Sequence, residues 1–287
     1  MSSIEAAIAL LEQSGDHVVH RKLKPSFRQG DARDAKVRSA IFVDVETTGL
    51  DAKADENIEL AVVPFKYHSE TGEIVEWLED EAFSCLEDPG IPITPEITAL
   101  TGITEADVKG KKFDDERIMR IAQAASLVIS HNARFDRPFL EKRFPLFKDK
   151  HWACSLSDID WQAEDIGSGK LEFIAYKYRF YYDAHRALND CFAGVEVLAN
   201  RLPVSGELGM KVLLDQARRT ERKIKLVAKF ELNDKIKLLG GKWDPDSKSW
   251  YCHVEVNELD AFKIKATESG VAVVETDINI TALNRFR

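Results

Sequence analysis

A chain of 287 residues can bury a sizeable core and exceeds the usual length of one compact domain, so one large domain with smaller attachments is expected. Its 44% apolar and 31% charged residues are those of a soluble globular protein, not of a disordered one. The formal net charge of −9 argues against wholesale coating of nucleic acid, yet leaves room for a local basic groove. Cys85, Cys154, Cys191 and Cys252 are scattered without a Cys-x-x-Cys pair, which favours reduced thiols over a disulfide framework or a zinc site. The first residues lack the basic head and apolar run of a secretion signal. The longest nearly apolar run, Ile121 to Ile129, is too short to span a bilayer. A cytoplasmic protein without a membrane partner is the expectation.

In chain order, Ile4 to Gln13 reads as a short amphipathic helix stopped at Ser14-Gly15, and His17 to Leu23 as a weak strand. Lys24 to Arg38 is polar and reads as a linker, making 1–38 an appendage docked on the next domain. The main domain, 39–203, opens on the apolar strand Ala40 to Val45. A hairpin signal follows, from Ile58 to Tyr67 and from Glu73 to Leu78, around Glu70-Thr71-Gly72. Pro64 marks a bulge, or a place where the missing donor is tolerated. Short helical pieces are expected at Thr94 to Leu100 and Thr104 to Val108, then a helix from Phe113 to Ala125 and a strand from Ser126 to Ser130. A helix from Arg134 to Arg143, a strand from Trp152 to Ser155, and helices from Leu171 to Tyr178 and Ala184 to Asn200 complete it. This pattern predicts an α/β fold, a mixed sheet flanked by helices. A connecting helix over 204–220 leads to a small α+β module over 221–287. That module combines a strand from Lys225 to Phe230, a helix from Asp234 to Leu239, a hairpin through Trp243 and Tyr251, a helix from Glu258 to Glu268, a strand from Val271 to Val274 and a loose tail.

The first strand carries an anomaly. Asp44 and Glu46 stand two apart in an apolar, β-branched run, so alternation puts both carboxylates on one face. Half-buried carboxylates repel one another and call for a cation, and a divalent metal is the obvious candidate. An edge strand with its acids facing water is the competing reading. Thr47-Thr48-Gly49 then ends the strand where a backbone can approach a ligand closely. A second cluster, His131-Asn132 through Asp136, lies where a strand runs into a helix. An acid in the first turn, as Asp136 is, also serves the helix dipole. The third is His185-Arg186-Ala187-Leu188-Asn189-Asp190. If both ends were helical, His185 and Asp190 would sit about 140° apart, so only a site at the helix's N-terminal end touches both.

In this order, Asp44-x-Glu46-Thr47-Thr48-Gly49, His131-Asn132-x-x-Phe135-Asp136 and His185-x-x-x-x-Asp190 resemble the DEDDh family of 3′–5′ exonucleases, which includes the proofreading ε subunit of bacterial replicases. Leu100-Thr101-Gly102-Ile103-Thr104, Ser155 to Asp160 and Lys170 to Ala175 add to the likeness, which covers roughly Ala40 to Arg201. The resemblance implies an RNase H-like fold in which Asp44, Glu46, Asp136 and Asp190 gather two Mg²⁺ ions, with Mn²⁺ as a substitute. It implies His185 as general base, contacts to the terminal nucleotide from Thr47 and Thr48, a wedge from Leu50, and a pocket lined by His131, Asn132 and Phe135. The implied reaction releases nucleoside 5′-monophosphates from single-stranded or frayed DNA. Trimming of RNA 3′ ends is the alternative, and a catalytically idle nucleic-acid-binding scaffold is the rival from another class. A polymerase partner is a further setting, though no convincing clamp-binding peptide stands in the sequence.

Ten Lys and Arg between Arg218 and Lys248 face five acids there, a local net of +5, interleaved with Trp243, Trp250 and Tyr251. Lys242, Trp243, Trp250 and Tyr251 are therefore candidate contacts to single-stranded nucleic acid. The competing reading puts the two tryptophans in the module's own core.

Overall fold

A computed structural model describes residues 3–25, 33–77 and 79–287, in two compact units: one of residues up to 216 with 286–287, the other of 217–285. In the first unit α1 (Ser3–Gln13) ends before Gly15, whose positive φ suits a glycine stop. β1 (Arg21–Lys22) follows, then β2 (Val37–Thr47), β3 (Asn57–His68), β4 (Ile74–Trp77) and β5 (Phe83–Leu86). β5 is a strand that the sequence reading missed. The expected linker lies partly outside the described residues, at 26–32, and β2 begins three residues before Ala40.

Next come α2 (Pro95–Thr101), α3 (Glu105–Val108), α4 (Asp115–Ala124), β6 (Leu127–Ser130), α5 (Ala133–Arg143) and β7 (Trp152–Cys154). α6 (Leu171–Lys177), β8 (Phe180–Tyr181), α7 (Ala187–Ala199) and α8 (Gly209–Arg218) finish this part of the chain. Thr104 and Asp107 close a reciprocal capping box on α3, which explains how a four-residue helix persists. The main sheet runs β4-β3-β2-β6-β7, with β5 also on β3. β2 and β3 are antiparallel, while β2, β6 and β7 are parallel, so the sheet is mixed as expected.

β2 lies inside the sheet, and Ala40 to Val43 are buried on both faces. One core joins Ile41, Val43, Val128 and Trp152 to Ile118 and Ile121 of α4 and Phe139 and Leu140 of α5. On the other face α7 crosses β2 and β3. A Cβ on Gly194 would sit 2.2 Å from the Phe42 ring, so only glycine lets the helix come this close. Pro64 stands between the ends of β5 and β4, which pair with β3 through Val62 and Phe65. A residue without an N–H therefore costs no bond on that edge. The N-terminal segment is tied on by the parallel β1–β8 pair, by the stacked rings of His20 and Tyr176, and by Arg179–Glu12 at 3.0 Å.

The second unit comprises β9 (Glu221–Val227), α9 (Asn233–Leu238), β10 (Lys242–Asp244), β11 (Ser249–Glu255), α10 (Leu259–Glu268) and β12 (Ala272–Ile280). Its sheet, β10-β11-β9-β12, is antiparallel throughout. The last residues are more ordered than the expected loose tail. β12 runs six residues past Val274, and Arg285 is buried against Glu221 at 3.8 Å.

Candidate active site

Asp44 and Glu46 project from one face of β2, as alternation requires, and Asp190 of α7 joins them. One oxygen from each of the three lies within 4.8 Å of the others. α7 begins at Ala187, not at Ala184, so Asp190 falls in its first turn and His185 precedes the helix. The Asp190 carboxylate accepts the Arg186 N–H at 3.2 Å and the Tyr182 hydroxyl at 3.1 Å. A carboxylate at a helix N-terminus is favoured by the free N–H groups there, which helps to hold Asp190 in place beside β2.

Asp136 arrives from another direction. β6 pairs with β2 only through Ala40–Phe42, so farther along this edge the β2 backbone lacks a strand partner. The Val45 N–H donates instead to Asp136 Oδ1 at 3.1 Å, which seats this buried acid between Asp44 and Glu46 along the strand.

Asp136 is buried, and Asp44, Glu46 and Asp190 are half-buried. Burial, then the neighbouring Asp136, Asp190 and Glu46, hold the Asp44 carboxyl well above its ordinary range. Burial and Asp190 push Glu46 up to about 8. Burial raises Asp136 to about 7 and Asp190 to about 6, although donated hydrogen bonds pull the other way. A set of oxygen-only donors that resists ionisation in each other's presence fits a hard divalent cation, which removes the repulsion.

Two participants were not foreseen. Glu59 of β3 stands opposite Glu46 in the register and is buried. It accepts the Ala187 N–H at 3.4 Å and lies 3.6 Å from the Arg186 guanidinium. Like charges directly across a strand pair destabilise it, so Arg186 offsets part of that cost. A lone acid in the apolar run Ile58 to Val63 was the available signal. Tyr182 is the second, its hydroxyl held un-ionised by burial and by Asp190.

The remaining candidates are distributed as follows. His185 is exposed, with φ of 61°, a left-handed backbone uncommon outside glycine. The hydroxyls of Thr47 and Thr48 are engaged within their own turn, with the Gly49 carbonyl and with Asp55, respectively. Leu50 is 87% exposed, a large apolar side chain standing clear of the fold. His131 is locked: Nε2 donates to the Gly169 carbonyl at 2.8 Å, so Nδ1 accepts from Ser155 Oγ at 2.9 Å. Burial lowers it to about 4, and the ring clasps the strand end to the 155–169 loop instead of offering a free nitrogen. Asn132 is exposed at the start of α5, while Phe135 packs against Phe139 with ring centroids 5.1 Å apart.

The candidates in the second unit divide between two faces of its sheet. Trp250 packs with the core beneath the helices, and Trp243 meets it edge-on at 5.5 Å, half exposed at the margin. Lys242 and Tyr251 pair across the strands on the opposite face.

Among the described residues no helix is long and apolar enough to cross a membrane. The RNase T exonuclease family model matches residues 41–198. DNA polymerase III of the PolC type is 30% identical over 60% of this chain in Caldanaerobacter subterraneus subsp. tengcongensis, and 36% identical over 55% in Clostridium perfringens. The chain spans only 12% and 11% of those proteins. Escherichia coli exonuclease I in complex with a dA16 oligonucleotide has a similar fold, with a TM-score of 0.50 at 14% identity over 86% of this chain and 66% of that one. Its zinc-bound complex with single-stranded DNA gives 0.51 at 15% identity over the same shares. With a family match over more than half its length, its mixed RNase H-like sheet and its gathered acids, the chain belongs to the RNase T exonuclease family.

Proposed function

We propose that this protein is a metal-dependent 3′–5′ exonuclease of the DEDDh type, releasing nucleoside 5′-monophosphates from single-stranded or frayed DNA. The observation that carries the reading is the meeting of Asp44, Glu46 and Asp190 within 4.8 Å, with Asp136 anchored on the Val45 N–H beside them. Those four acids would hold two Mg²⁺ ions, or Mn²⁺ in their place. Bound there, the ions supply charge neutralisation at the scissile phosphate and a water of lowered pKa.

The chain's own groups do the rest. His185, outside the helix and open to solvent, takes the proton of the attacking water. Its left-handed backbone turns the chain just before α7, and strain at such a residue is common where a side chain has a task. Arg186, 3.6 Å from Glu59, offsets part of the repulsion that this fifth acid adds to Asp44 and Glu46. Tyr182 and the Arg186 N–H hold Asp190 in orientation. Leu50, projecting beyond the end of the acids' strand, wedges against the last bases, with Asn132 and Phe135 just past the same end of the parallel neighbour β6. Thr47 and Thr48 approach the terminal sugar through the turn that their hydroxyls stabilise. The PolC-type relatives are DNA polymerases by name, which supports DNA as the substrate.

Digestion of a 5′-labelled single-stranded DNA with Mg²⁺ tests this. A ladder shortening from the 3′ end is expected, absent with EDTA and in Asp44→Ala. An intact strand with both Mg²⁺ and Mn²⁺ would overturn it, and digestion of RNA alone would overturn the choice of DNA.

A further inference from the structure

The second unit follows the order β9–α9–β10–β11–α10–β12 in an antiparallel sheet, two interleaved split β-α-β units. Both helices lie against one face: Ile224, Leu226, Cys252 and Val254 pack with Ile236 of α9 and with Leu259 and Ala266 of α10. Alternation along the two central strands sends Lys223, Lys225 and Tyr251 to the other face. The register aligns Lys242, Tyr251 and Lys225 in one row across three strands. Lys223 completes the group, its ammonium 4.4 Å from the centre of the Tyr251 ring.

Of the lysines on this face, Lys223 lies within electrostatic reach of Asp244. Lys223, Lys225 and Lys242 form no ion pair among the described residues. The acids nearby are already engaged: Glu221 by Arg285 and His253, Glu255 by Arg219, and Asp244 by the N–H groups and hydroxyl of its own turn. An aromatic ring set among three lysines that form no ion pair, on a sheet face opposite the unit's helices, complements a strand with exposed bases and regular phosphates. A duplex presents its phosphates but stacks its bases away from such a ring.

We propose that this open face binds single-stranded DNA, with Tyr251 stacking on a base and Lys223, Lys225 and Lys242 meeting phosphates. The choice of DNA rests on the exonuclease reading; the face itself does not. The two tryptophans that dominate the sequence pattern are on the helix side and have no part in it.

The test is the affinity of the full chain for a 5′-fluorescein oligothymidylate in EDTA, by fluorescence anisotropy over a series of salt concentrations. Lys225→Glu with Lys242→Glu is expected to weaken binding on the order of tenfold, and to flatten the log–log salt dependence by about 0.7 per lysine lost. Tyr251→Leu is expected to lose on the order of tenfold, while Tyr251→Phe, which keeps the ring, retains parental affinity. Lys235→Glu with Lys265→Glu changes the same charge on the two helices and is expected to leave affinity within about twofold. No binding by the parent chain would overturn the proposal, as would equal losses in the two charge pairs, or full affinity in Tyr251→Leu. Because EDTA silences digestion, this readout is independent of catalysis. A chain that digests DNA but binds equally well in every variant fails here while the nuclease reading stands.

Discussion

The two units handle charge in opposite ways. Residues 217–285 carry 13 Lys and Arg against 11 Asp and Glu, net +2, while the rest of the chain carries 27 against 38, net −11. The larger unit concentrates negative charge where water is scarce and the carboxyls resist ionisation. The smaller one spreads positive charge over an exposed sheet face, where solvation keeps it cheap. A half-buried like-charge cluster is relieved by a counter-ion, whereas an exposed basic face is stable alone and only complementary to something else. The first favours a cation; the second tolerates a partner.

The largest expected effect separates them outright. Asp44→Ala should lower digestion by at least roughly 10³-fold, since several kcal/mol of charge stabilisation go with it, and leave oligonucleotide affinity in EDTA unchanged. Comparable losses in both would show that the two charge systems are not separable. His185→Gln is expected to cost about 10²-fold in kcat with little change in KM, read from single-turnover digestion across pH. An unaltered pH profile would remove it from the proton path.

The contrast also has a pH signature. In the metal-free fold Asp136, Asp190 and Glu46 titrate at about 7, about 6 and about 8, above the roughly 4 of unfolded carboxyls. Groups whose folded pKa is raised hold protons that the unfolded chain has released. Their stability is complete below about pH 4 and is lost as pH rises through 6 to 8. The gain in Tm from Mg²⁺ over EDTA should therefore be larger near pH 8 than near pH 5 by thermal melting, and equal gains would deny the cluster its cation. The smallest effect is steric. Gly194→Ala forces α7 away from Phe42 and is expected to cost about 1–3 kcal/mol in denaturant unfolding. It carries Asp190 with it, so activity should fall further than stability alone explains.

Much of the larger unit was legible in the chain because its signals are anomalies. Two acids in a β-branched strand are hard to explain otherwise, and alternation placed both on one face. What the sequence hid was register and local turns. Nothing in Ile58–Glu59–Leu60 says that Glu59 will stand opposite Glu46, because cross-strand pairing depends on how the hairpin closes. Periodicity ran the last helix back through His185, where the left-handed backbone in fact breaks it. In the smaller unit a one-residue alternation decided everything. Trp250 and Tyr251 are neighbours in sequence, yet one packs beneath the helices while the other faces out. Composition gave both the same weight.

The acids of the site also differ in how far apart in the chain their contacts lie. Glu46 and Glu59 come together through a short loop, a contact that a chain can close early in folding, whereas Asp136 arrives from much farther along and Asp190 from farther still. By sequence separation alone, the first two acids meet through a local contact and the last two through long-range ones, so the cluster is complete only once α5 and α7 are packed on β2.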